Sequence, residues 1–537
     1  MRKKILALAA LPLVLAFLGG CGSSGHSVPP PSNNVPVVVS ISDTTPALGE
    51  TLPPGVNLVS TQATVTGVCL LTSSDTGVTT CPTGQAAFPA TGGGPSTLQF
   101  AFVPTPSQPD VISNGAVTAN TYTGALVTFG SPLEATISVD PGDSFSDGTT
   151  AGTSITCDNT GGETLLFCPV APVLSTTSAT VTFANPIVLT AGTPVSIVVG
   201  LDVTGSLTAS TATPPVLSVT PIVSVTQGAN AADGDLIDVS NVTGSIQSIS
   251  ATSITLADGT TGLPLTLNIG SGTTVSNYNN TTATCATPNT IACPQVGDVV
   301  TLSYGASNTN PVQFTAININ GNPGITSTNG FQGTIIVAGE APEVVVTAVP
   351  AGSTLSGIAV GQVYDLSFTD GAAFTNSTGA ALPESFASAT DLVVGQNVLV
   401  DVACTTNAGV TTCDFTPPAA AVPPAPQGAG SITADAIELL PSTIPGLLNT
   451  APNPGYTVDG LSSFYTNNGV TALNGTTTAS TTYSGTLTGF DGLTADETYY
   501  YTGFLLNSGT ASDPDLFTTS IFGGPTSESE AVKAKHR

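Results

Sequence analysis

VTGSIQSISATSITLADG, residues 242–259, decides the fold. Val242, Gly244 and Ile246, then Ile254 and Leu256, alternate with Ser, Thr and Gln, the period-two pattern of strands with one face in a core. Asp258-Gly259 ends the stretch with the pair that hairpin turns favour, because both residues tolerate positive φ. The same pattern continues outward through PLTLNIGSGTTVSNY (264–278), QVGDVVTLSYG (295–305) and VQFTAININ (312–320). It then starts again at FQGTIIVAG (331–339), with EVVVTAVP, VYDLSF, FASATDLVVGQNVLVDVAC and GSITADAIELL following in turn. Gly244-Ser245-Ile246 matches Gly333-Thr334-Ile335, and Val296-Gly297-Asp298 matches Val394-Gly395-Gln396. The closing strands match as Thr315-Ala316-Ile317 with Thr433-Ala434-Asp435-Ala436-Ile437. This is an internal repeat: copy one spans 241–321 and copy two 330–444, with Pro417–Gly430 as a loop insertion. Residues 452–523 read as a third β domain, but Gly492 to Glu497 replace the VG[DQ] step, so the motifs leave its kinship open.

Toward the N-terminus the alternation persists with different spacing. VVVSIS (37–42), a strand ending at Cys69, and strands near 98–103, 121–129, 133–139, 154–157, 165–170, 179–189 and 194–203 predict a β-sandwich over 36–226. Residues 204–240 read as a linking strand and turn region. No long helical periodicity interrupts the chain, so the expected fold class is all-β: an N-terminal sandwich followed by two or three small β-barrel-like domains.

Two resemblances attach to these stretches. VSISDTTP at 39–46, TVTGVCL at 64–70, NTYTGALVTF at 120–129 and NPIVLTAGTPVSIVVGLDVTGSL at 185–207 resemble a bacterial extracytoplasmic β-sandwich family, domain of unknown function family 4382, over 36–226. The G-x-I strand, VG[DQ]xV turn and A-x-I strand of 241–444 resemble the small barrel repeat of domain of unknown function family 5666. Both imply a fold and a place in the cell envelope. Neither implies an activity.

Charge excludes several function classes. The 537 residues carry 34 acidic against six basic side chains, a formal charge of −28. The six are Arg2, Lys3, Lys4, Lys533, Lys535 and Arg537, so the body between them has none. Nucleic-acid binding is excluded, because affinity for phosphates comes from Lys and Arg. Two readings of the bare exterior compete: resistance to extracellular proteases, which leads, and a surface tuned to divalent cations.

The first residues fix an expected location. Arg2, Lys3 and Lys4, the apolar run to Leu18, and Gly19-Gly20 before Cys21 read as an export signal over 1–20 rather than a membrane span. Leu18-Gly19-Gly20-Cys21 resembles the lipobox of bacterial lipoproteins, which implies lipidation of Cys21 and a membrane partner through that lipid. Residues 21–35, rich in Ser, Pro and Asn, form the tether that an anchor needs. Gly22 stands where Asp would retain the protein in the inner membrane, which favours the outer membrane. The tail 524–537 completes the chain.

With Cys21 set aside, eight cysteines fall into local pairs: Cys69 with Cys81, Cys157 with Cys168, Cys285 with Cys293, and Cys404 with Cys413. Four disulfides are expected, each closing a short loop for about 2–3 kcal/mol. A cysteine metal site is the poorer reading, because CxxC spacing is missing and the two histidines are His26 and His536.

Catalysis has little to work with. Serine or cysteine triads need a base, and the body has no His or Lys. Phosphoryl transfer lacks a basic clamp. Asp75-Thr76-Gly77 spells an aspartic-protease tripeptide, but such enzymes need two loops sharing a proton and no second copy exists. No enzyme activity and no cofactor are therefore expected. Calcium is the weak alternative, with oxygen donors gathered at Asp140, Asp143 and Asp147 and at Asp233, Asp235 and Asp238; Asp capping of turns explains the same residues. Phe464, Tyr465 and Tyr499 to Tyr501 are assigned to a core or interdomain contact ahead of a sugar-stacking platform. The expected function is a non-catalytic, structural or adhesive envelope protein that meets an envelope protein or polysaccharide. The alternative is a carbohydrate- or small-ligand-binding module, which requires a concave aromatic-lined pocket.

Overall fold

Asn34–Asp43 is the strand on which the sandwich is assembled. Val35, Val37, Val39 and Ile41 face the space between two sheets, and Val38 and Ser40 on the opposite side are buried as well. A strand covered on both faces tends to carry an apolar run, and Val37-Val38-Val39 supplies one before the alternation of Ser40, Ile41 and Ser42. The computed structural model describes residues 33–523 apart from 44–52, 89–95, 102–109, 131–133, 149–153, 161–165, 204, 229, 232–233, 259–263, 277–293, 327–328, 350–354, 378–381, 408–409, 420–427, 451–453, 462, 486, 508–509 and 511. Among the described residues, helix is limited to Ser463–Asn467 and the short 3₁₀ turns Ala389–Asp391 and Phe490–Gly492. The expected all-β class holds.

In the first sheet Asn34–Asp43 lies parallel to Val195–Asp202 and antiparallel to Asp110–Thr118, and Ile222–Gln227 adds the outer strand. The second sheet runs Leu166–Val170, Glu134–Val139, Val56–Leu71, Thr121–Phe129, Ser178–Val188, with Ala86–Phe88 and Ser96–Ala101 also paired to the long Val56–Leu71. Between the sheets sit Val39, Val65, Val68, Leu70, Tyr122, Val127, Ile197 and Val199. One strand was not foreseen: Asp110–Thr118, because Ser113-Asn114-Gly115 reads as a turn. Within 204–240, read as a linking strand and turn region, Ile222–Gln227 completes the first sheet and Leu207–Ala209 with Leu217–Val219 and Val173–Leu174 forms a small third one.

After the sandwich come three five-stranded rings. Barrel one consists of Ile237–Ile249, Ser253–Asp258, Pro264–Ser276, Asp298–Ala306 and Phe314–Thr326, closed by the order first, second, third, fifth, fourth. Barrel two consists of Gly330–Val337, Glu343–Ala348, Val363–Asn376, Asn397–Val402 and Gly430–Leu440. Barrel three consists of Ser442–Thr450, Gly455–Asp459, Leu473–Thr476, Thr498–Leu506 and Asp515–Gly523. In each ring the third and fifth strands are parallel and every other neighbour is antiparallel. The third β domain is therefore a copy in topology. Its first strand starts at Ser442, ten residues before the expected boundary and inside the stretch assigned to copy two.

The sequence alignment of the closing strands also needs correction. Thr315 and Ala316 pair with Asn268 and Ile269 as Thr433 and Ala434 pair with Ser367 and Phe368, and both ladders then break. Beyond the break Ile319 and Ile437 take equivalent positions inside the barrels, whereas Ile317 corresponds to Asp435 and is exposed. A bulge shifts the phase of a strand, and a motif counted along the chain misses it.

The modules share cores. Val38 of the sandwich belongs to the cluster of Ile246, Leu256, Leu302 and Ile319 in barrel one. Val59 joins Ile336, Val345 and Val363 of barrel two and Tyr456, Tyr501 and Leu516 of barrel three. Thr136 Oγ1 donates to the Gly361 carbonyl at 2.5 Å, and Asn507 Nδ2 to the Thr390 carbonyl at 2.8 Å.

Candidate functional site

The turn before the fourth strand is the feature that recurs in every barrel. In barrel one Gly297 has φ +97°, its amide donates to the Ile246 carbonyl at 2.8 Å, and the Asp298 carboxylate accepts the Gln295 amide at 2.8 Å. In barrel two Gly395 has φ +86°, its amide donates to Ile335 at 2.8 Å, and Gln396 Oε1 accepts the Val393 amide at 2.9 Å. The side chain three residues on closes the turn, which is why the motif carries Asp or Gln there. In barrel three Asp496 occupies the glycine position with φ +63° and donates to Leu448 at 2.8 Å, while the Tyr499 hydroxyl meets the Thr494 amide. Gln396 also donates through Nε2 to the Leu505 carbonyl, and a Cβ on Gly395 would stand 2.5 Å from Tyr465. This turn joins barrels two and three.

Acidic side chains supply the unusual electrostatics, and the two moved furthest from the ordinary carboxylate range, Glu438 and Asp401, lie on barrel two. Glu438 is 1 % exposed, and among the described residues neither carboxylate oxygen has a hydrogen-bond partner. Burial pushes its carboxyl up to about 8. Asp401 is buried with Oδ1 unpartnered among the described residues, and burial together with the neighbouring Asp435 pushes it up to about 7. Glu343 is raised by burial and by Asp365, which stands opposite it across the strands. Glu438, Asp401 and Glu343 were not singled out from the sequence. The available signal was NVLVDVAC and AIELL, where one carboxylate interrupts a run of apolar residues instead of alternating with them.

The expected site residues are placed as follows. Cys69–Cys81, Cys157–Cys168 and Cys404–Cys413 are disulfide-bonded. Cys157 and Cys168 are fully buried in the core with Ile137 and Leu217, and Cys404–Cys413 staples an exposed hairpin of Cys404–Asn407 and Val410–Cys413. Cys21, Cys285, Cys293 and Asp233 lie outside the described residues. Asp75 caps its own turn, accepting from the Thr72 amide at 2.8 Å and the Thr72 hydroxyl at 2.6 Å, bonds that lower its pKa.

Among the calcium candidates, Asp140 accepts from Asn57, Asp143 lies against Gly55, and Asp147 accepts the Ile155 amide at 3.0 Å. Asp235 and Asp238 both approach Gly305. No group of three or more His, Cys, Asp or Glu is gathered to hold a metal ion among the described residues.

The aromatics fill barrel three. Tyr456 stacks on Tyr501 at 4.9 Å, Tyr499 meets Tyr501 edge-on at 6.3 Å, and Phe464 and Tyr465 are buried beside them. Burial raises the Tyr456, Tyr465 and Tyr501 hydroxyls above the ordinary phenol range. In the sandwich an apolar cavity of about 20 Å³ is lined by Leu58, Phe129, Ala135, Leu201 and Val219. It has room for about one water molecule, not for a sugar ring.

Fold and geometry together define the class: an all-β protein built of a disulfide-stapled sandwich and three barrels sharing one strand order. Compared with family models and with curated proteins, the chain matches none.

Proposed function

We propose that this chain is a lipid-anchored, non-catalytic protein of the bacterial cell envelope, structural or adhesive in role, held in the outer membrane through Cys21. The observation that carries the reading is that neighbouring modules share their cores, Val38 with barrel one and Val59 with barrels two and three. Modules joined in this way pass force along the chain, whereas a small-ligand module needs a concave pocket of several hundred Å³. Ser and Thr pairs such as Thr66–Thr128, Thr255–Thr266 and Thr406–Thr411 link exposed strands in place of ion pairs. Such an exterior offers hydrogen bonds to a polysaccharide or protein neighbour without a basic site for proteases.

The carbohydrate-module alternative has less support, because Tyr456, Tyr465, Tyr499 and Tyr501 are spent inside barrel three. The body also lacks the His, Lys and Arg on which most hydrolytic and transfer chemistry relies. Labelling cells with radioactive palmitate tests the anchor. Wild type should take label and fractionate with the outer membrane, and Cys21→Ala should do neither. Equal labelling of the two, or an unlabelled wild type, sinks the reading.

A further inference from the structure

The fourth strand of barrel two, Asn397–Val402, and the last five residues of the fifth, Gly430–Leu440, are buried on both faces. Val398, Val400, Ile437 and Leu439 point into the barrel, while Leu399, Ala436 and Leu440 form a separate apolar cluster outside it. Glu438 stands opposite Leu399, and Asp401 opposite Ala436, on that outer face. Among the described residues Phe314–Thr326, the closing strand of barrel one, comes into contact with both strands. The two buried carboxyls thus lie on strands that meet a neighbouring module.

A buried carboxylate normally has a basic partner or backbone donors. Here the chain offers no Lys, Arg or His between residues 27 and 532. Phe314–Thr326 contains no titratable residue, and neither does the neighbouring strand Gly330–Val337. Val363–Asn376 on the other flank brings only Asp365 and Asp370 as acidic groups, with the buried Tyr364, the short strand Phe415–Thr416 follows Asp414, and Asp435 neighbours Asp401. Among the described residues, every charge-bearing group around the pair is acidic. The position equivalent to Glu438 in barrel one is Asn320, which is neutral.

We propose that the contact between barrels one and two is a pH-gated joint, closed while Glu438 and Asp401 carry protons and loosened when they ionise. Ionisation in the closed state would leave a bare charge out of water beside Leu399, Ala436 and Leu440, and parting the strands returns it to water. The sign follows from the raised carboxyls of the closed form. The open form loses its protons first, near the ordinary carboxylate range of about 4, so these two groups leave the joint strongest below that pH. It weakens as pH rises toward about 7 for Asp401 and about 8 for Glu438, then levels off.

Hydrogen exchange on the full chain between pH 5 and pH 9, corrected for intrinsic rates, tests the joint. In wild type, amides of Phe314–Thr326 and Asn397–Val402 should lose at least about tenfold in protection between pH 5 and pH 8. A carboxyl that holds its proton more tightly in the closed form changes the balance of closed and open states by up to a factor of about ten for each pH step over which only the open form is ionised. The double variant Glu438→Gln, Asp401→Asn keeps the shape without the charge and should hold its protection flat. Carbon-13 titration of the Glu438 carboxyl in wild type gives a readout that needs no variant and should show a midpoint well above the ordinary range. Wild-type protection that does not change with pH, a double variant that keeps the full pH dependence, or an ordinary Glu438 midpoint would each overturn the proposal. So would restoration of protection at pH 8 by calcium alone, which would assign the pair to a metal ion.

Discussion

Barrels two and three solve the same turn with different residues. Barrel two writes Gly395-Gln396, with a glycine at φ +86° and an amide side chain that reaches Val393 and Leu505. Barrel three writes Asp496-Glu497, holds Asp496 at φ +63°, and passes the amide of Thr494 to the Tyr499 hydroxyl. The backbone bonds are nevertheless the same: Ile335 and Leu448 each exchange a pair with their turn, at 2.8 and 2.9 Å. Ring closure demands the backbone geometry, and the side chains that secure it are exchangeable. A motif built on side chains therefore fades in a copy whose fold persists.

Substitutions at the two turns can break or sharpen this contrast. The largest effect is expected for Gly395→Ala, where an unfavourable left-handed φ adds to a clash with Tyr465. It should cost about 3 kcal/mol or more by denaturant unfolding. Gly297→Ala in barrel one shares the φ without that tyrosine and should cost about 1–2 kcal/mol. An equal loss at both would show that Tyr465 does not depend on the glycine.

Gln396→Ala leaves the Val393 amide and the Leu505 carbonyl without their partner in a buried place. About 2 kcal/mol should be lost, together with exchange protection at Leu505. Tyr499→Phe removes only the hydroxyl, and a loss of about 1 kcal/mol is expected, with faster exchange confined to Thr494. The smallest effect has the opposite sign: Asp496→Gly restores the residue that positive φ favours and should stabilise barrel three by about 0.5 kcal/mol in calorimetric melting. Destabilisation there would mean that the Asp496 side chain holds the turn in some other way.

Much of the architecture was legible along the chain. Period-two alternation marks strands wherever one face is wet, so VTGSIQSI and SITLAD could be read directly, and the repeated VG[DQ] step gave two of the three barrels. Cysteine spacing gave the three observed disulfides because cysteines 9 to 12 residues apart, far from the next pair, have few other partners. What escaped were features set by partners distant in the chain. Asp110–Thr118 is a strand because Asn34–Asp43 lies beside it. The phase of the closing strands depends on a bulge, which changes which residue faces inward without changing the composition.

The sequence by itself determined the all-β class, the repeat, the local disulfide pairs and a body without cations, since each rests on neighbours within about a dozen residues or on composition alone. Only the tertiary structure decided that 442–523 closes into the same ring as its predecessors, through a parallel pairing of Leu473–Thr476 with Asp515–Gly523 that no local signal encodes. Only the tertiary structure, likewise, buried Glu438 and Asp401. A carboxylate's environment depends on what packs over its strand, and the strands of this pair meet Phe314–Thr326, which belongs to another module far back in the chain.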